Sequence, residues 1–243
     1  YETHYCGNEP KGLFPFFIGS DEMPNAVIDS IQRAIRAHPD DVVAYDDLVS
    51  AYENQIREGF LQYHAGNKQL RSIISREQRR IAETGRMADI RRMNDAYWHS
   101  ALVDAPVDFD AYCLYMEKDR DPRKRFYAPR RSKLLRVVNS IQKLLDDELD
   151  ILGISLPPGV GKSTLAIFLL THIAGRWPEE ANLTGSHSNA FVRGVYDECL
   201  RLFDKNGDYL WHDIFPLVDV TGTNAKDYRI NLGNGKRFDT LEF

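Results

Sequence analysis

The chain of 243 residues is 43% hydrophobic, 28% charged and 11% aromatic, a globular composition that excludes collagenous, low-complexity and wholly disordered chains. Its longest apolar run, Leu165 to Ala174, carries Thr171 and His172 and falls well short of the roughly 20 residues a bilayer span needs. A formal net charge of −5 excludes a polycation that coats nucleic acid by bulk charge, so any DNA contact has to be local.

Residues 1–22 are aromatic and punctuated by Gly7, Pro10, Gly12, Pro15 and Gly19 without a helical period, and are read as an extended arm. From Pro24, Val27, Ile28, Ile31, Ala34 and Ile35 recur at helical spacing. Val43, Leu48, Val49, Tyr52, Ile56 and Phe60 do so again after the His38-Pro39-Asp40 break, which predicts two packed helices. A third helix is expected from Lys68 to Trp98, with Gly85 as an interruption. Its other face carries Arg71, Arg76, Arg79, Arg80, Arg86, Arg91 and Arg92, read either as a nucleic-acid or acidic-partner contact or as a solvated face balanced by Glu77, Glu83 and Asp89. The helical N-terminal domain is placed at 23–105, ending at the Ala101 to Pro106 boundary.

Phe109, Tyr112, Leu114 and Tyr115 open a new apolar segment. A dense basic run from Lys118 to Arg136 then encloses Phe126 and Tyr127, and an amphipathic helix is expected from Leu134 to Leu149. Asp150 to Leu156 reads as a short buried strand that runs into a Pro-Pro-Gly turn, Lys162 to Trp177 as a helix apolar on nearly all sides, and Ala181 to Gly185 as a second strand. That order is a βαβ unit. Further on, Tyr228 to Leu232 and Lys236 to Phe243 flank Gly233-Asn234-Gly235, a strong hairpin signal. Cys6, Cys113 and Cys199 are odd in number and far apart, which suits neither a disulfide framework nor a zinc site and points to a reducing compartment.

Chemistry concentrates at Leu156-Pro157-Pro158-Gly159-Val160-Gly161-Lys162-Ser163-Thr164, between a predicted strand and a predicted helix. In a phosphate-binding loop of this kind, backbone N–H groups and the positive end of the following helix point at a triphosphate. Gly159 and Gly161 would let the backbone approach, Lys162 would reach the β- and γ-phosphates as the catalytic cation, and the Ser163 hydroxyl would join a Mg2+ shell. Thr164 supports the start of the helix. Leu156 occupies the position of the usual first glycine, so a loop without a ligand is the competing reading.

The order Phe109, Tyr112, Tyr115, then RFYAPRRSKLL, an amphipathic helix and LGISLPPGVGKST is similar to the large terminase subunit of tailed double-stranded DNA bacteriophages. The resemblance runs from about Val107 to Phe243, and in that family the loop often lacks the first glycine. It implies a mainly parallel P-loop NTPase core over 106–243 behind the helical domain, and an ATPase motor that uses ATP and Mg2+ to drive double-stranded DNA into a procapsid. The loop residues Pro158, Gly159, Val160, Gly161, Lys162, Ser163 and Thr164 would hold ATP. Phe126, Tyr127, Arg130 and Arg131 would stand where family members contact adenine, with a structural basic turn as the competing reading, and Val160 stands where many carry a basic residue.

The resemblance also implies a portal protein and a small terminase subunit as partners, a homo-oligomeric ring, no membrane, and a location in the host cytoplasm at the procapsid portal. His187, in the polar loop after the second strand, and Arg193 and Arg201, as arginine-finger candidates, have weaker claims. The start at Tyr1 and the stop at Phe243 inside an alternating pattern lead to the expectation of a fragment cut before its second acidic motif and before a nuclease domain. Phe215 to Asp219 comes nearest to that motif, but Pro216 interrupts it. Two other classes stay open: a helicase-like or loader-type P-loop ATPase acting on DNA, and a non-catalytic nucleic-acid or partner-binding module.

Overall fold

The computed structural model describes residues 25–57, 64–84, 87–233 and 238–243. The predicted arm over 1–22, Cys6, Gly85 and the Asn234-Gly235 tip lie outside them. Two helices open the described residues, α1 (Asn25–Ala37) and α2 (Val42–Arg57). Between them the Asp41 carboxylate accepts from the N–H groups of Val43 and Ala44 at 3.2 and 3.4 Å, and the Tyr45 hydroxyl donates to the Pro39 carbonyl at 3.0 Å. The two bonds to Asp41 satisfy donors that a helix start leaves free.

The long third helix is replaced by two: α3 (His64–Thr84) and α4 (Met87–Asp104). The chain doubles back because Leu70 and Ile74 of α3 bury themselves with Met93 and Ala96 of α4, against Ile35, Tyr45, Leu48 and Val49. One continuous helix would leave that apolar stripe in water. Arg71, near the start of α3, donates to Asp104 and to the Ser100 carbonyl at the end of α4, and is buried. It therefore leaves the proposed basic surface, whereas Arg76, Arg79 and Arg80 stay exposed.

A second, larger core begins with α5 (Phe109–Tyr115), whose N-terminus is capped by Asp108 accepting from the Ala111 N–H at 2.7 Å. Two 3-10 turns, Pro122–Lys124 and Ala128–Arg130, lead into α6 (Arg131–Leu145). Gln142 of α6 clamps the start of α5 twice, accepting from the Phe109 N–H at 2.8 Å and donating to the Val107 carbonyl at 3.0 Å. After α7 (Lys162–Arg176) come β1 (Asn182–Leu183), α8 (Asn189–Leu202), the single turn α9 (Trp211–Ile214), β2 (Gly222–Asn224), β3 (Arg229–Asn231) and β4 (Leu241–Glu242). Rings from three helices interlock at the centre. Tyr112 donates to or accepts from the Thr171 hydroxyl at 2.8 Å, and Trp211 donates to the Thr171 carbonyl at 3.0 Å.

The sheet has the order β1-β4-β3-β2. Parallel pairing was expected to dominate; among the described strands only β1 and β4 run parallel, and β2–β3 and β3–β4 are antiparallel. The short connections between β2, β3 and β4 can join only antiparallel neighbours, while the β1–β4 connection contains α8 and α9 and is long enough for a crossover. The predicted strand over Asp150 to Leu156 is a second correction. Burial alternates along it, with Leu152, Ile154 and Leu156 packed on the core and Ile151, Gly153 and Ser155 exposed, but it belongs to no ladder. Its period of two is real; a hydrogen-bonded neighbour is what it lacks among the described residues. Among those residues no helix is long and apolar enough to cross a membrane.

His172 sits at the centre of this core, fully buried among Phe109, Tyr112 and Phe215, with Nε2 3.2 Å from the Ala105 carbonyl. Burial, followed by the Arg176 charge, pushes its pKa down to about 3. The unfolded chain therefore binds this proton first. Stability is full above about pH 6.5 and falls, at up to roughly 1.4 kcal/mol per pH unit, as pH drops from there toward the folded value. Urea midpoints should decline below pH 6.5, and His172→Gln, which keeps a donor for Ala105, should flatten that decline. An equally steep profile in the variant would assign the acid sensitivity to other groups.

Candidate functional site

The segment Leu156 to Thr164 turns at Pro158 to Val160 and runs into α7. Gly159 has φ +79° and Gly161 φ +99°, backbone regions that side chains with a Cβ rarely enter. Gly161 is the N-cap of α7 and carries no side-chain cap, so its carbonyl accepts from the Leu165 N–H at 3.0 Å while the first-turn N–H groups have no intrahelical partner. Lys162 and Ser163 are exposed there, Val160 is half-buried, and Pro158 and Gly159 are exposed. The arrangement presents free N–H donors, the helix dipole, one ammonium and one hydroxyl to the same space.

The two glycines differ in what surrounds them. A Cβ on Gly159 would meet nothing, whereas one on Gly161 would be driven into the Phe126 ring. Phe126 is fixed by the buried Glu117 carboxylate, which accepts from the Phe126 N–H at 2.8 Å and the Tyr127 N–H at 2.8 Å, and by an edge-to-face contact with Phe168 of α7 at 5.7 Å. Gly159→Ala should thus cost only the strain of a left-handed residue, about 1–2 kcal/mol. Gly161→Ala should cost more, because the ring must also move. Ranking the two variants by thermal unfolding checks this; equal losses would show that the loop is not seated on Phe126.

The segment predicted to contact adenine is redistributed by the fold. Tyr127 is fully buried and its hydroxyl donates to Asp110, so its ring is not open to a base. Arg131 is held by the same carboxylate through two bonds of 2.8 and 2.7 Å. Both side chains are structural in this arrangement, because a buried carboxylate demands donors. Burial works to raise the Asp110 pKa, but the hydrogen bonds from Arg131 and Tyr127 and the Arg131 charge outweigh it, and the result is lowered. Arg130 remains exposed, with its guanidinium 5.5 Å from the Phe126 ring centre.

In place of that contact the structure forms a cavity of about 320 Å³ beside the first turns of α7, walled by Phe126, Phe168 and Tyr209, with Thr164 on its loop side and Lys124 and Arg201 among its polar lining. Arg120 also lines it. This guanidinium is 7% exposed, donates to Glu117 at 2.9 Å and to the Tyr209 hydroxyl at 2.8 Å, and leaves its Nε–H buried without a partner. The sequence concealed the cavity, since Arg120, Thr164, Arg201 and Tyr209 come from four separate segments and no local spacing links them.

The weaker candidates are dispersed. His187 is exposed in the loop before α8, Arg193 pairs with Asp197 at 3.7 Å and Arg201 with Glu198 at 3.1 Å. Asp219 is an exposed partner of Lys205 at 2.6 Å. Cys113 and Cys199 are free and buried, and burial pushes both thiols up, which makes them inert. Ser163 offers a hydroxyl to a metal ion; among the described residues no three His, Cys, Asp or Glu side chains gather to hold one. Comparison of the chain with protein-family models, with curated proteins and with solved structures gives no match.

Proposed function

We propose that the Pro158 to Thr164 loop binds ATP and that the chain is the ATPase part of a DNA-packaging motor of the large-terminase type, moving double-stranded DNA toward a procapsid. The observation that carries this reading is local. Two glycines in left-handed conformations lead directly into an uncapped helix whose first residues are an exposed lysine and an exposed serine. Such a turn exposes consecutive N–H groups, and a triphosphate is the common metabolite whose charge and oxygen count match them.

In this reading the loop N–H groups and the Lys162 ammonium stabilise negative charge on the β- and γ-phosphates as the γ-phosphoryl group passes to water. Magnesium, when bound, supplies further positive charge to those oxygens, and the Ser163 hydroxyl is the ligand this chain offers it. The cavity beside Thr164 takes the base and ribose, with Phe126 and Tyr209 as apolar walls. A portal protein, a small terminase subunit and a ring of identical copies belong to the same proposal. The first test is thermal unfolding with Mg2+ and ATP. A ligand at about one hundred times its Kd adds about 2.7 kcal/mol, and ATP should stabilise far more than AMP. Equal stabilisation by AMP, or none by ATP, would remove the loop from the function.

A further inference from the structure

The basic run from Lys118 to Arg136 looks uniform in sequence, but folding sorts it into two groups. Lys118 pairs with Asp119, Arg120 with Glu117, Arg123 with Asp121 and Arg131 with Asp110. Arg125 donates to the carbonyls of Arg120 and Lys118 at 3.0 and 2.6 Å. Each of these cations already has an oxygen partner. Lys124, Lys133 and Arg136 are exposed and form no ion pair among the described residues, and Arg130 is exposed with one bond, to the Phe126 carbonyl.

Three of these four cations lie at one end of a single helix. α6 contains no acidic residue in its 15 positions, and its apolar stripe of Leu134, Val138, Ile141 and Leu145 is buried on the core. Lys133 and Arg136 stand on the opposite face, one turn apart, with Arg130 at the N-cap. No side chain caps the positive end of the helix there. Acidic residues begin only beyond the other end, at Asp146, where Arg176 and Lys143 already face Asp146 and Glu148. The residual positive charge is therefore concentrated at the N-terminal half of α6 and at Lys124, on a chain of net charge −5.

We propose that this uncovered face of α6 binds the phosphodiester backbone of double-stranded DNA; the choice of DNA rests on the function proposed above. From Arg130 to Arg136 is about 9 Å at 1.5 Å per residue, which spans two to three phosphates at about 3.4 Å of rise per strand. Flexible, unpaired cations lined along a helix suit a repeating phosphate chain and carry no base-reading geometry, so the contact is independent of sequence. Because the Arg130 guanidinium at the N-cap of α6 lies 5.5 Å from the ring of Phe126, which walls the cavity beside the loop, the DNA surface and the nucleotide site would share an edge.

The test measures binding of a short fluorescent DNA duplex by the 243-residue chain across a salt series, beside Lys133→Glu/Arg136→Glu and Lys162→Ala. Both substituted α6 positions are exposed, and unchanged thermal unfolding verifies the fold. The double variant should lose tenfold or more in affinity at about 50 mM salt, and its log–log salt slope should flatten by about two, since each phosphate contact contributes about 0.9. Lys162→Ala should bind DNA as the parent does while losing stabilisation by ATP. Unchanged affinity and slope in the double variant would overturn the proposal, as would competition by polyglutamate equal to that by unlabelled duplex, which would mark an acidic protein partner. Failure of the parent to bind duplex while ATP still stabilises it would overturn this proposal alone. DNA binding that depends on Lys133 and Arg136, in a chain that ATP does not stabilise, would support it and remove the nucleotide reading.

Discussion

Lys162→Ala should weaken ATP binding by about tenfold to a hundredfold and abolish any ATP turnover. The side chain is exposed at the first position of α7, so its removal leaves the core untouched. On the proposed reading, what is lost is a point charge bonded to phosphate oxygens, and a hydrogen bond to a charged group is worth about 1.5–3 kcal/mol. Lys162→Arg should rescue poorly, because a planar guanidinium does not reproduce a compact ammonium in a tight loop. The measurement is calorimetric titration with ATP in the presence of magnesium, paired with thermal unfolding of the free variant. ATP affinity unchanged in Lys162→Ala would show that the loop does not hold the triphosphate.

Asp110→Ala should destabilise the fold by about 3 kcal/mol. The carboxylate is almost fully buried on α5, and it accepts from the Tyr127 hydroxyl and from two nitrogens of Arg131. Removing one partner of a buried pair costs about 3–5 kcal/mol because the other is left without a counter-charge. The lower end applies here, since the Arg131 side chain is 40% exposed and can recover water. Urea denaturation should report that loss, with an accompanying drop in ATP affinity, because Tyr127 adjoins the Phe126 ring on which Gly161 rests.

The sign of the pH effect follows from the same contacts. A carboxyl held below its ordinary value in the folded chain contributes stability above the unfolded pKa, and that contribution disappears as pH falls through the folded one. The Asp110→Ala variant should therefore lose the part of the acid response that lies below about pH 4, while keeping the part that begins near pH 6.5 and belongs to His172. A variant as stable as the parent would show that Tyr127 and Arg131 find other partners.

Much of the local structure could be read from the chain itself. The start of α7 after Gly161 follows from a glycine that tolerates positive φ next to a run of helix-forming apolar residues, and both causes act over a few residues. The antiparallel pairing of β3 with β4 likewise follows from alternation on either side of a turn. The breaks at His38-Pro39-Asp40 and at Pro157-Pro158 are set by proline, whose ring fixes the backbone whatever surrounds it.

Tertiary structure decided which groups meet. The Ile151 to Leu156 segment has the alternation of a strand, yet alternation fixes only which side chains face the core; a ladder needs a neighbour, and β4 pairs with β1 instead. Arg71, Arg120 and Arg131 are indistinguishable in sequence from Lys133 and Arg136. Folding buries the first three against Asp104, Glu117 and Asp110, or pins them there, and leaves the last two in water. Tyr127, which the resemblance sets where family members contact adenine, is a core residue for the same reason. The cavity beside Thr164 belongs wholly to this second category, since packing alone brings Arg120 against Tyr209 from 89 residues away. Backbone conformation is governed by short-range sterics and is written locally, whereas the partner of a charge or an edge is chosen by the burial of the whole chain.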